Sequence, residues 1–168
     1  MTPRIQALIR ALKLQPHPEG GWFAEVLRSA ALVQPQDGRT PRSALTSIYF
    51  LLESAQQSRW HRVCSDEVWV HLEGDALALW CADADGQAAT CTVLGPVDID
   101  NDQRPQHTVR AGQWQAAKPV ATALAGRGYT LVACLVGPGF DFADFSLLSE
   151  GCPQASALAA IDLGRQRP

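Results

Sequence analysis

The sequence predicts an all-β domain carrying one short N-terminal helix, and three observations predict it. Eleven prolines and thirteen glycines are spread along the 168 residues, dividing the chain into many short elements joined by turns. Between the turns lie apolar, β-branched and aromatic runs of strand length, spaced as in a barrel or a sandwich. Helical periodicity occurs only at the N-terminus.

There, Thr2 suits an N-cap and Pro3 the first helical position, while Ile5, Leu8, Ile9 and Leu12 share one helix face. The helix, placed within residues 1–14, must end before Pro16-His17-Pro18-Glu19-Gly20-Gly21. Prolines block its continuation and glycines permit backbone angles that other residues resist. Strands are expected at 22–29, 44–52, 68–72, 76–81, 89–94, 113–116, 121–125 and 129–136. Glu73-Gly74-Asp75 and Asp83-Ala84-Asp85-Gly86 separate them as turns, and 33–42 reads as a loop. The chain is one domain, 1–168, with a barrel at 15–150 and a tail at 151–168 that turns polar from Gly164.

Composition limits the function classes. A content of 46% hydrophobic and 18% charged residues is that of one globular core. The net charge is −3 and the basic residues are scattered, which argues against a nucleic-acid partner. No apolar run approaches the roughly 20 residues that cross a bilayer, so no membrane association and a cytoplasmic location are expected. Cys64, Cys81, Cys91, Cys134 and Cys152 form no Cys-x-x-Cys pair, which indicates neither a disulfide framework nor a zinc knuckle. Most of them read as small buried apolar residues.

The most informative stretch is Trp60-His61-Arg62-Val63-Cys64-Ser65-Asp66-Glu67-Val68-Trp69-Val70-His71-Leu72-Glu73-Gly74. It resembles the first cupin motif: His61 matches the first histidine, Glu67 the glutamate and Gly74 the turn glycine, while Val63 stands where a second histidine is expected. Arg110-Ala111-Gly112-Gln113-Trp114-Gln115 resembles a weakened second motif, with Gln115 at its histidine position. His17-Pro18-Glu19-Gly20-Gly21-Trp22, Arg28-Ser29, Ser47-Ile48-Tyr49-Phe50-Leu51-Leu52 and the segment from Pro138 to Phe145 extend the likeness across residues 12–148. Together they resemble the cupin subfamily formerly catalogued as a domain of unknown function, DUF985. The resemblance implies a double-stranded β-helix (jelly-roll) barrel, commonly a homodimer. Its functional analogues include sugar epimerases and isomerases as well as non-enzymatic binding proteins.

Of a metal set of imidazoles and a carboxylate, only His61 and Glu67 match; valine cannot ligate, and the Gln115 amide is a weak ligand. A divalent metal held by His61, Glu67 and Gln115 is therefore the weaker expectation, and a metal-free polar pocket the stronger. His61 suits acid–base chemistry near neutral pH, with Glu67 to orient and stabilise it. Tyr49 is a third catalytic candidate, by likeness to the tyrosines of sugar-epimerase cupins. Trp69, His71, Gln115, Glu19 and Trp114 are candidate ligand contacts. His71 qualifies because it alternates with Trp69 and Glu67 on one strand, and Glu19 because its loop is able to reach over a barrel mouth. Each also has a plain structural reading, as a core aromatic, a turn residue or a surface acid. Phe140, Phe142 and Phe145 are expected to anchor a closing segment, with Asp141, Asp144 and His107 facing water.

The leading functional reading is a small-molecule-binding cupin, a carbohydrate or nucleotide-sugar isomerase or epimerase working through a His61–Glu67 acid–base pair. A non-catalytic metabolite-binding or sensing module and a metal-dependent dioxygenase are the alternatives.

Overall fold

The computed structural model describes residues 1–120 and 126–163. The strand expected at 121–125 and the polar tail from Gly164 lie outside the described residues. Helix α1 (Pro3–Ala11) starts as predicted, with Thr2 Oγ1 accepting from Ile5 N at 3.4 Å. Ile5 and Leu8 on its buried face pack against Leu51, Tyr129 and Leu131.

Fourteen strands follow in chain order. They are β1 (Gln15–Pro16), β2 (Trp22–Arg28), β3 (Leu32–Val33), β4 (Arg42–Ser43), β5 (Thr46–Glu53), β6 (His61–Val63) and β7 (Asp66–Gly74). Then come β8 (Leu77–Ala82), β9 (Thr90–Leu94), β10 (Gln103–Arg104), β11 (Gln106–Val109), β12 (Trp114–Pro119), β13 (Tyr129–Gly137) and β14 (Phe145–Leu147). One six-stranded sheet has the order β1-β2-β5-β13-β7-β11, and the second β10-β9-β8-β12-β6-β14. All pairings in them are antiparallel except β9 with β10. Strands distant in sequence alternate between the sheets, as in a jelly roll.

Strand alternation sorts the side chains into three layers. Phe50, Leu52, Trp69, Leu77, Leu79, Ala117, Val132 and Cys134 point between the sheets and form the central core. Their chain neighbours point out: Leu51, Tyr49, Tyr129 and Leu131 lie under α1, while Trp80, Ala78, Trp114 and Ala116 cover the back of the second sheet. There they meet Leu158 of a short helix, α2 (Ala155–Ala159), and Leu163. Residues 155–163 are thus a packed cover, where the sequence predicted only a tail.

The expected loop at 33–42 begins and ends in the small β3–β4 hairpin. Its basic residues reverse another expectation. Asp144 is buried, because Arg39 Nη1 and Arg42 Nε both donate to its Oδ2 at 2.8 Å and Arg42 Nη2 donates to Oδ1 at 2.8 Å. The hydrogen bond from Arg42, followed by that from Arg39, holds the Asp144 carboxyl below its ordinary pKa against the opposing effect of burial. Asp141 is exposed, as predicted, and caps the turn Phe142–Asp144 through Ala143 N. Phe142 is 58% exposed and so sits at an opening instead of anchoring the segment. His107 is half-buried, and Cys64 and Cys91 are exposed; only Cys81 and Cys134 match the expectation of buried thiols. No helix among the described residues is long and apolar enough to cross a membrane.

Candidate functional site

At one end of the barrel the central core gives way to a cavity of about 240 Å³. Its polar side is made by His17, Glu19, His61 and Glu67, and its apolar side by Phe23, Phe140, Phe142 and Phe145. Three separate local structures deliver the polar groups.

The first is the turn between α1 and β2. His17 N donates to Gly21 O at 3.1 Å and Gly20 N to His17 O at 3.0 Å, closing a tight turn with Glu19 inside it. Gly21 has φ +72°, and a Cβ there would stand 2.6 Å from Leu51 O and 2.8 Å from Leu52 Cδ2. Only glycine lets the turn lie this close to β5. Glu19 is thereby carried into the barrel, where it is 5% exposed. Gly21→Ala is expected to cost at least about 2 kcal/mol, a fall of roughly 4–8 °C in melting temperature, and to weaken ligand binding because the turn carries His17 and Glu19. Thermal unfolding and a binding titration check both.

The second is β6, where His61 and Val63 face inward from alternate positions. His61 Nδ1 lies 2.8 Å from Arg59 O, and Nε2 lies 3.0 Å from Glu19 Oε2. Carbonyl and carboxylate are both acceptors, so each ring nitrogen must donate, which describes an imidazolium. Burial alone would lower the His61 pKa, but the charge and hydrogen bond of Glu19, then the charge of Glu67 and the Arg59 carbonyl, raise it from 6.5 to about 9. His61 therefore carries a fixed positive charge at neutral pH.

The third is β7. Glu67 points inward, and its Oε2 accepts from Gln115 Nε2 at 2.6 Å; Gln115 Oε1 in turn accepts from Trp69 Nε1 at 2.9 Å. All three are buried. Burial pushes the Glu67 carboxyl above its ordinary pKa; the His61 charge and the hydrogen bonds from Gln115 and Cys134 oppose this, and the Glu19 charge adds to it. A carboxyl moved toward neutral pH suits proton exchange better than an ordinary one.

The sequence candidates sort accordingly. His61, Glu67 and Glu19 line one cavity. Gln115 and Trp69 stand behind Glu67 and hold it. His71 shares the inward face of β7 but lies beyond the cavity, with Nε2 3.1 Å from Asp75 O. Tyr49 cannot meet a ligand here, because its neighbours Ile48 and Phe50 take the inward positions and Tyr49 packs under α1. Trp114 is excluded by the same alternation: next to inward Gln115, it points out and donates to Ala84 O at 3.3 Å, with Arg62 stacked 4.8 Å from its ring. The direct partner of His61 is Glu19, not the Glu67 that its motif suggested.

Sequence reasoning missed His17, Arg28 and Cys134 as wall residues. His17 and Arg28 lie in segments that carried the family resemblance, and nothing in their spacing marked a wall position. Arg28 donates to Glu25 Oε1 and Oε2 at 3.1 and 2.6 Å and to Phe140 O at 3.1 Å, tying the rim of the opening together.

Two sheets interleaved as a jelly roll, with a small polar-floored cavity at one end, define a double-stranded β-helix protein. Residues 6–148 match the Cupin_5 family, described as Cupin superfamily (DUF985), and the chain belongs to that family. It is similar to a hypothetical protein from Leishmania major at 36% identity and TM-score 0.78, covering 86% of each chain. Protein SO0799 from Shewanella oneidensis is 32% identical with TM-score 0.76, covering 92% of each chain. Oxalate decarboxylase from Bacillus subtilis, 13% identical over 79% of this chain and 29% of that one with TM-score 0.54, shares the fold alone. No curated protein matches the chain.

Cupin relatives often bind metal, and the donors present here do not fit one. Val63 has no lone pair to offer, and both functional atoms of Gln115 are engaged, by Trp69 and Glu67. The lone pair that His61 Nε2 would give a metal is replaced by a proton directed at Glu19. His, Cys, Asp and Glu side chains among the described residues form no group of three or more able to hold a metal ion.

Proposed function

We propose that this protein is a metal-independent isomerase or epimerase that moves a proton on a small, uncharged hydroxycarbonyl compound, an unphosphorylated sugar of three to six carbons. The observation that carries the reading is the placement of Glu67, a buried carboxyl with a raised pKa, in the same small cavity as the His61–Glu19 ion pair. One group is suited to exchanging a proton with carbon, the other to stabilising the negative charge that results.

The size and charge of the cavity support the substrate class. About 240 Å³ lies below the roughly 300–1,000 Å³ of sites for drug-sized ligands, which disfavours a nucleotide-linked sugar. The charges on the floor are largely internally paired, His61 with Glu19, and Arg28 at the rim is paired with Glu25, so no free cation among the described wall residues awaits a phosphate. The phenyl rings opposite offer a surface for the C–H face of a sugar.

In this chemistry the Glu67 carboxylate takes the proton from the carbon beside the carbonyl, and the electron pair moves onto the carbonyl oxygen as an enediolate. The positive field of His61 stabilises that oxygen, while Glu19 relays the hydroxyl proton between the two oxygens. Returning the carbon proton from Glu67 to the neighbouring carbon completes an aldose–ketose isomerisation. Protonation of the original carbon on its other face by a water molecule gives an epimer instead, the hydroxide so formed taking the proton that Glu67 holds.

Incubating the protein with unphosphorylated aldoses and ketoses in D₂O tests the reading. A sugar that stabilises the protein in thermal shift is expected to gain deuterium at the carbon beside its carbonyl, visible by NMR. Stabilising sugars recovered without deuterium and without conversion would make the protein a binding module.

A further inference from the structure

We propose that His17, through its Nε2–H, is the hydrogen-bond donor that meets the substrate's carbonyl oxygen, making it a catalytic residue; this rests on the proton-transfer reading above.

The tautomer follows from the backbone. Glu19 N–H donates to His17 Nδ1 at 3.3 Å, so Nδ1 must keep its lone pair and the proton of the neutral ring must sit on Nε2. Nδ1 also lies 3.8 Å from Glu19 Oε2, too far for a hydrogen bond, and the ring is uncharged in that contact. Burial lowers the His17 pKa below 6.5 and the positive His61 lowers it further, while the charge of Glu19 works the other way. These are the titratable groups acting on the ring. The rest of its surroundings are aromatic: Phe23, Phe50 and Phe145 stand edge-on at 4.6, 5.8 and 6.3 Å between centroids.

Nε2–H has no protein acceptor among the described residues, yet it is not sealed in. The only fully buried side-chain nitrogen or oxygen without a partner among those residues is Trp22 Nε1. His17 lines the cavity, so its free N–H is available to whatever enters. His61 differs in this respect, since both of its nitrogens already have acceptors. The division of labour is then clear: His61 supplies fixed charge, Glu67 the proton acceptor, and His17 a neutral donor pre-aimed at the oxygen on which charge develops.

The test uses the full chain labelled with ¹⁵N-histidine and the same panel of three- to six-carbon aldoses and ketoses. At pH 7 the His17 ring is expected to appear as the neutral Nε2–H tautomer, and its Nε2 resonance to move when a stabilising sugar is added. His17→Leu is expected to slow deuterium incorporation about 10²-fold. His17→Gln, whose amide N–H reaches the place of Nε2–H, is expected to recover most of that loss, and a merely structural role would not give this rescue. Melting temperatures of both variants show whether the fold survives; should the leucine variant unfold, the glutamine variant and the wild-type spectra still decide. An imidazolium, an Nδ1–H tautomer, or an Nε2 resonance unmoved by a bound sugar overturns the proposal, as does undiminished exchange in a folded His17→Leu. A sugar that exchanges while Nε2 stays still removes only the role of His17. Binding that moves Nε2 without any exchange keeps His17 as the ligand's donor and removes the catalytic reading. If no panel member binds, both fall.

Discussion

Glu19→Gln is expected to lower the unfolding free energy at pH 7 by about 3 kcal/mol and to flatten the dependence of stability on pH between 6.5 and 9. The size follows from His61, whose pKa rises from 6.5 to about 9 on folding, a difference worth about 3 kcal/mol at roughly 1.4 kcal/mol per pH unit. The sign follows from proton counting. A histidine with a raised folded pKa contributes stability that is fully present below 6.5 and disappears as pH rises through about 9. Glu67, with its raised pKa, also makes the folded state lose stability as pH rises above the ordinary carboxyl range, and less so in the Glu19→Gln variant, because the Glu19 charge is one cause of that rise. His17 works in the opposite direction and only below 6.5. The difference between wild type and Glu19→Gln above pH 6.5 therefore reports the loss of the Glu19 charge, which acts on His61 and on Glu67 in the same direction. Denaturant unfolding at pH 6, 7.5, 9 and 10 measures it, and two curves that run parallel across that range would show that Glu19 does not hold the charge on His61.

Glu67→Gln is expected to reduce deuterium incorporation into an accepted sugar by about 10²- to 10⁴-fold, the usual contribution of a positioned acid or base. Stability should not fall with it. Burial opposes charge on Glu67, and a neutral amide of the same shape escapes that penalty while still pairing with Gln115, so the melting temperature should hold or rise. Activity lost without stability is what separates a catalytic group from a structural one. Exchange within tenfold of wild type would remove Glu67 from the chemistry.

The fold was largely legible because its signals are local and repetitive. Thr2-Pro3 marks the helix start, the turns at Gly74 and Gly86 separate strands, and the predicted strands at 22–29, 44–52 and 129–136 fall on β2, β5 and β13 within two residues at either end. Gly74 shows why such positions are readable: its φ is +102° and a Cβ there would lie 2.2 Å from Tyr129 O, so the turn admits no side chain. The candidate site was legible where a motif fixed the inward face, at His61 and Glu67, and at Glu19, whose glycine-flanked loop reads as able to reach over a barrel mouth. Elsewhere, alternation decides which of two neighbours faces the cavity, and nothing in Ser47-Ile48-Tyr49-Phe50 says that Ile48 faces in and Tyr49 out. Trp114 and Gln115 were both proposed as ligand contacts although adjacent residues of a strand cannot share a face. His17 was not legible, because its place on the wall depends on a turn that folds back onto β5, a long-range contact without periodicity to announce it. Burial of Asp144 was hidden for the same reason, since its arginines come from a hairpin more than a hundred residues away in the chain.

A crystal structure of the protein grown with a stabilising sugar, with anomalous data collected at transition-metal absorption edges, shows whether a sugar reacts at a metal-free floor of Glu67, His61 and Glu19. Density for the sugar is expected between Glu67 and His17, with Glu19 still bonded to His61 Nε2 and no anomalous peak within bonding distance of either. A metal ion coordinated by His61 Nε2 and Glu67, or sugar density outside the cavity with the polar floor untouched, would contradict that expectation.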